Sequence, residues 1–337
     1  MESNPGWNAP AINYVTNENY YLYKQDLKRL AAMGVKYYSF TISWNRILPF
    51  VLPGTPVNQE AIDHYDDLIN TCIEFGITPI VTLNHFDTPS IFVTNSSANV
   101  LSGVGYHNGG YDNDTFVDAF VNYGKIILTH YADKVPYFVT INEPNIVAGT
   151  PKAVKNVIQS TAQLHDFYHK VIGGQGKVGI KFAYTFGVPF NTSSLEDVAA
   201  ANRYSEFNIA AYANPLFLGS DQPDSWKKTF SNFTEALFTA EELAAVAKQC
   251  DFLGIDAYTS NEMTAPEGGI EDCQVDPSNP YWPACYQVSG TRSDGWAVGY
   301  RSKSYVYITP IQLREALNYL WNTYKAPVFL TEFGFPE

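Results

Sequence analysis

Six strand-like runs, each preceded by a helix-like stretch, constrain this chain of 337 residues more than any other feature. Asn19 to Met33 has the spacing of an amphipathic helix and ends at Gly34, a residue suited to the left-handed turn that closes helices. Val35 to Ser43 then reads as a strand rich in Tyr, Phe and Ile. The pattern recurs as helix 58–75 and strand 77–83, helix 115–131 and strand 135–141, and helix 151–172 and strand 177–184. Helices 195–212 and 239–248 precede strand 252–257, and helix 310–324, with Pro310 in its first turn, precedes strand 328–331. Alternation of this kind predicts an α/β fold with a parallel sheet. The number and length of the units favour a (β/α)8 TIM barrel over a doubly wound sheet. Residues 1–337 read as a single barrel domain, interrupted by a long Pro-, Gly-, Tyr- and Trp-rich insertion at about 260–308 that is expected to be irregular and to wall a cleft. The first and last strands of an eight-fold barrel have no counterpart in the pattern, so the barrel is expected to be incomplete.

Composition removes several classes of function. A formal net charge of −13 argues against a nucleic-acid surface, and no apolar run is long enough to span a bilayer. No phosphate-binding glycine motif follows any strand, and Gly103 to Gly110 lies in the wrong context for one. Neither cofactor nor metal is expected. Cys273 and Cys285 bracket a Pro- and Trp-rich loop and form a candidate disulfide, whereas Cys72 and Cys250 lie in apolar segments and read as buried thiols. Candidate N-glycosylation sequons occur at Asn95, Asn113, Asn191 and Asn232. With the cysteines they point to the secretory pathway or the extracellular space. Because Met1 to Gly6 lacks a leader pattern, the signal peptide is expected to be absent from this chain.

Two strand-like runs end in a glutamate followed by a helix breaker: Tyr137 to Asn142 leads into Glu143-Pro144, and Val328 to Thr331 into Glu332-Phe333-Gly334. A carboxylate placed there is expected at the mouth of a barrel or sheet rather than in the core. Two of them can divide acid/base and nucleophilic work, which is what cleavage of a glycosidic bond requires. The bland alternative is a pair of strand-end carboxylates in salt bridges.

Five blocks in chain order, Tyr38 to Pro49, Leu83 to Pro89, Thr140 to Pro144, Asp251 to Ser260 and Thr331 to Gly334, together resemble glycoside hydrolase family 1, the β-glucosidase family, and its fungal branch in particular. Tyr38 to Pro49 is similar to Y-R-F-S-I-S-W-x-R-I-x-P, and Leu83 to Pro89 to L-x-H-W-D-L-P. Thr140 to Pro144 resembles T-F/L-N-E-P, Asp251 to Ser260 resembles D-F-L-G-I-N-Y-Y-T-S, and Thr331 to Gly334 matches T-E-N-G in part. The resemblance implies Glu143 as acid/base and Glu332 as the nucleophile of a retaining β-glycosidase. It implies His85, Asn142 and Tyr258 as residues that contact a β-glycoside or other carbohydrate substrate. Trp282 and Trp296 are candidates to stack on the aglycone, with loop packing the alternative.

Several positions depart from the pattern. Ser39 stands where the family has an arginine that orients the nucleophile, Phe86 replaces Trp, Asp256 replaces Asn, and Phe333 replaces Asn. These changes, with the unmatched strands, keep open a catalytically impaired fragment or a non-catalytic carbohydrate-binding relative.

Overall fold

The computed structural model describes residues 18–93, 109–148, 150–184 and 186–336. Nine strands occur among them: β1 (Tyr37–Thr41), β2 (Thr78–Asn84), β3 (Tyr137–Asn142), β4 (Lys177–Ala183), β5 (Phe186–Pro189), β6 (Leu253–Asp256), β7 (Ser260–Thr264), β8 (Gln287–Ser289) and β9 (Val328–Glu332). Six of them form one sheet in the order β1-β2-β3-β4-β6-β9, and every pairing in it is parallel. The architecture is an incomplete (β/α)8 barrel, and β1 and β9 are its edges among the described residues.

Side-chain periodicity explains how the helices dress the sheet. Helix Gln59–Glu74 buries Ala61, Ile62, Tyr65, Leu68, Ile69 and Cys72, a single face at spacings of three and four. Tyr38 and Phe40 of β1 turn outward to pack with Leu27 and Leu68 of the covering helices. Ser39 alternates to the other face and is exposed. The inner face carries an aromatic and aliphatic layer near the amino ends of the strands, in which Ile80, Val139 and Phe252 pack with Tyr137 and Phe329. The rings of Tyr137, Phe252 and Phe329 lie 5.9–6.4 Å apart. That layer closes the barrel floor and leaves the carboxyl ends of the strands for polar residues.

Two helices differ from their expected form. The stretch expected as helix 151–172 is α-helical only over Pro151–Asp166 and continues as a π-helix over Phe167–Ile172. The stretch 195–212 is α-helical over Leu195–Ser205 and then π-helical over Glu206–Ala210. The insertion is also more ordered than its composition suggests. It contains β7, a helix at Gly269–Val275 and β8, and β7 pairs with β5 and β8 in a second, three-stranded sheet. A Cys273–Cys285 disulfide ties that helix to the segment before β8, and Cys72 and Cys250 are buried free thiols. Arg203 anchors the insertion to helix Leu195–Ser205, donating to the carbonyls of Pro283 and Ala284 and to Thr229 Oγ1.

Asn191 and Asn232 are exposed and Asn113 is half-buried; Asn95 lies outside the described residues. No described helix is long and apolar enough to cross a membrane.

Candidate active site

The carboxyl ends of five parallel strands converge on one cluster. β2 ends at Asn84 and delivers His85, and β3 ends at Asn142 and delivers Glu143. β6 ends at Asp256, β9 ends at Glu332, and β4 contributes Lys181 two residues before its end. Functional residues of (β/α)-barrels collect at this face because loops there vary without disturbing the barrel floor.

Glu143 sits on a tightly specified turn. Its backbone is left-handed, with φ 45° and ψ 47°, a conformation that costs a non-glycine residue on the order of 1–2 kcal/mol. Neighbouring contacts hold it there. The Glu143 amide donates to the Lys181 carbonyl at 2.7 Å. Two residues on, Asn145 clamps β4 at two points: its Nδ2 donates to the Ala183 carbonyl at 2.6 Å and its Oδ1 accepts from the Ala183 amide at 3.1 Å. Pro144 then starts a short helix over Pro144–Val147.

One carboxylate oxygen from each of Glu143, Asp256 and Glu332 lies within 4.8 Å of the others. Three carboxylates so close cannot all be ionised cheaply, and their surroundings separate them. Burial pushes the Glu143 carboxyl up to about 8, and the charges of Asp256 and Glu332 push the same way. Burial also raises Asp256, partly offset by the charge of Lys181. Glu332 goes in the other direction. Burial opposes its ionisation, but the hydrogen bond and charge of Lys181, with the hydroxyl of Tyr258, hold it below the usual glutamate range. Lys181 Nζ is 2.5 Å from Glu332 Oε1, and Tyr258 donates to Oε2 at 2.8 Å. The surroundings therefore favour the neutral form of one carboxyl and the ionised form of the other.

The other expected residues fall around this pair. His85 is half-buried, and burial together with the charge of Lys181 lowers its ring to about 4. Its backbone is pinned by Asp87, whose Oδ1 accepts from the His85 amide at 2.9 Å. Asn84 beside it is fixed by Tyr111, which donates to its Oδ1, and by Thr88. Asn142 is fully buried, yet neither its amide nitrogen nor its oxygen has a protein partner. Such an orphaned amide is rare in a folded interior and fits a side chain kept for a ligand hydroxyl. Of the two loop tryptophans, Trp282 packs against the core with its ring 5.6 Å from that of Phe230, whereas Trp296 is 75% exposed.

Sequence reasoning missed Lys181 and Asn145. Lys181 was readable in principle, because a lone lysine in the apolar run Val178 to Phe182 of a central strand needs a buried anion. Asn145 gave no such signal.

A parallel barrel with one neutral and one ionised carboxyl at the carboxyl ends of its strands is the arrangement of a glycoside-cleaving enzyme. The sequence model of glycosyl hydrolase family 1 matches residues 6–337, and the chain belongs to that family. It is a glycoside hydrolase acting on O-glycosyl bonds, and its curated relatives are β-glucosidases. It is 27% identical to the cytosolic β-glucosidase of Cavia porcellus, over 95% of this chain and 69% of the relative. It is 30% identical to β-glucosidase 4 of Oryza sativa subsp. japonica, over 96% of this chain and 67% of the relative. Among solved structures it is similar to a family 1 β-glucosidase from Humicola insolens in complex with glucose, with a TM-score of 0.81 and 26% identity, covering 94% of this chain and 69% of that one. A rice β-glucosidase variant in a covalent complex with glucose superposes with a TM-score of 0.79 at 27% identity, covering 94% of this chain and 69% of that one. Mammalian, plant and fungal relatives match at similar identity, so the comparisons do not single out a fungal branch.

Proposed function

We propose that this chain is a retaining β-glucosidase in which Glu332 is the nucleophile and Glu143 the acid/base. The observation that carries the reading is the juxtaposition of their carboxylates at the carboxyl ends of β3 and β9, with Lys181 and Tyr258 bonded to Glu332 alone of the two. Retaining enzymes need the two carboxyls about 5–5.5 Å apart, close enough for direct attack, whereas inverting ones leave room for a water. Oxygens of the two groups within 4.8 Å of each other leave little room for an intervening water and support the retaining reading.

In the first step a Glu332 oxygen bonds the anomeric carbon as the bond to the aglycone oxygen breaks, and the Glu143 proton passes to that oxygen. In the second, Glu143, now a carboxylate, takes a proton from water as the water oxygen attacks the anomeric carbon and Glu332 leaves. Asn142, with both amide atoms unpartnered, is suited to a sugar hydroxyl. His85 is suited to another, and Tyr258 steadies the leaving Glu332. A related rice enzyme holds glucose covalently, which is the kind of intermediate this route forms. We further read residues 1–337 as one barrel domain with its insertion at about 260–308. The Cys273–Cys285 disulfide and the exposed sequons at Asn191 and Asn232 support residence in the secretory pathway.

The test is a 2-deoxy-2-fluoro β-glucoside with an excellent leaving group, followed by intact and peptide mass. A fluoroglucosyl adduct on the Glu332 peptide is expected. Absence of any adduct on folded protein would overturn the reading.

A further inference from the structure

Ser39 leaves unanswered what keeps Glu332 ionised, since a serine carries no charge and no guanidinium fork. The sheet shows a different solution. Lys181 lies on β4, two strands from Glu332 on β9, with β6 between them. It is only 4% exposed on its side chain, and its Nζ reaches Glu332 Oε1 at 2.5 Å and Asp256 Oδ2 at 3.4 Å. An ammonium that deep is tolerated only beside anions. Asp256 supplies one where the family pattern has an uncharged Asn, and its Oδ1 is fixed by the Thr331 hydroxyl at 2.7 Å. The backbone accommodates the same lysine. Lys181 and Gly254 are register partners, and a Cβ on Gly254 would come within 2.8 Å of Lys181 Cγ. A buried cation, a buried anion on the intervening strand and a glycine that admits the lysine stem form one built set.

We propose that Lys181 is the positioning residue for the nucleophile in this chain, delivering from β4 the positive charge that Ser39 cannot supply from β1, with Asp256 as the counter-ion that holds it in place. The proposal rests on the reading of Glu332 as nucleophile. It adds that Ser39 and Asp256 are not two independent losses. They belong to one relocation of charge across the barrel, so Ser39 does not by itself mark an inactive site. The charge of Lys181 also acts on His85, lowering its ring together with burial.

The experiment compares the unsubstituted chain with Lys181→Gln and with Lys181→Gln combined with Ser39→Arg. Labelling by the fluoroglucoside is followed by intact mass across pH 4–8, and ¹³C-carboxylate NMR follows Glu332 in the unliganded protein, assigned with Glu332→Gln. Lys181→Gln should label at least about tenfold more slowly at pH 5, with the acid limb of its rate profile moved up by about one pH unit, the effect expected for loss of one adjacent opposite charge. Adding Ser39→Arg should recover most of that rate and return the limb toward acid. Unchanged rate and limb in Lys181→Gln would overturn the proposal. Failure of Ser39→Arg to rescue a slowed variant would overturn the relocation of charge. Should Lys181→Gln not fold, the unsubstituted chain still decides: Glu332 titrating in the ordinary glutamate range would overturn the pairing, and titration below it would support it. If the unsubstituted chain takes no label at all, the nucleophile reading falls while the carboxylate titration still decides the pairing.

Discussion

At the scale of single residues, the roles proposed for the two glutamates are separated by environment rather than identity. Burial and the neighbouring anions raise Glu143 and favour its neutral form, while Lys181 and Tyr258 lower Glu332 and favour its ionised form. The sign of the pH dependence follows. The proposed mechanism requires Glu332 ionised, so kcat/KM is expected to fall as pH drops through its lowered value. It also requires Glu143 protonated, so kcat/KM falls again as pH rises past about 8. Glu143→Gln removes the basic limb, and hydrolysis of a poorly activated glucoside is expected to slow by roughly 10²–10⁴-fold. An aryl glucoside whose leaving group needs no proton should keep a much larger share of its glycosylation rate, which a burst measurement can read. The strand-end placement of both glutamates was legible in the sequence, but the pattern alone left a salt-bridge role equally open, and the resemblance of the surrounding blocks is what singled them out. Lys181 was not singled out, because its meaning depends on two strands that lie 75 and 151 residues further along the chain. Register, which decides such encounters, is not written in local pattern.

At the scale of elements, the turn after β3 shows how a strained backbone is kept productive. Glu143 is left-handed without being glycine, and the two hydrogen bonds between Asn145 and Ala183 tie the following turn to β4. Asn145→Ala would leave the half-buried N–H and C=O of Ala183 without these partners, at a cost of about 1 kcal/mol. It should lower the thermal midpoint and, because Glu143 is then less firmly aimed, lower kcat more than it raises KM. Steady-state kinetics beside a melting curve separate the two effects. A loss of stability at constant kcat would show the clamp to be structural only. The strands and main helices were legible from hydrophobic period, to within two residues at most ends. The π-helical turns at Phe167–Ile172 and Glu206–Ala210 were not, since a few residues of altered pitch leave the apolar spacing of a long helix nearly unchanged. The order within the insertion was hidden for another reason. β7 and β8 are short, and β7 finds its parallel partner β5 more than seventy residues earlier in the chain.

At the scale of the whole molecule, the two ends of the barrel serve different purposes. The carboxyl ends of the strands hold the strained, charged site, and the amino ends hold contacts that bind strands to helices. Asp251, just before β6, is the centre of one such set. Its Oδ2 accepts from the Val178 amide at 2.8 Å and lies 2.7 Å from His169 Nε2, while Oδ1 lies 3.6 Å from His165 Nε2 and from Lys177 Nζ. It thereby joins β4, β6 and the helical segment Pro151–Ile172 away from the catalytic face. Burial opposes its ionisation, but the nearby His165 ring and the hydrogen bonds from the Val178 amide and His169 outweigh that and hold the carboxyl well below the usual range. A folded value below the unfolded one, about 3.9, means that the stabilisation is fully present above roughly pH 4 and is lost as pH falls toward the folded value. Asp251→Asn should therefore melt lower than the unsubstituted chain at pH 7, by on the order of 1 kcal/mol after solvent screening, or about 2 °C in a chain of this size. The difference in midpoint should shrink as pH is taken below about 4, while the rate of fluoroglucoside labelling per folded molecule stays unchanged at neutral pH. A gap in midpoint independent of pH would show that packing, not charge, makes Asp251 matter. A change in labelling rate would show that the two ends of the barrel are coupled.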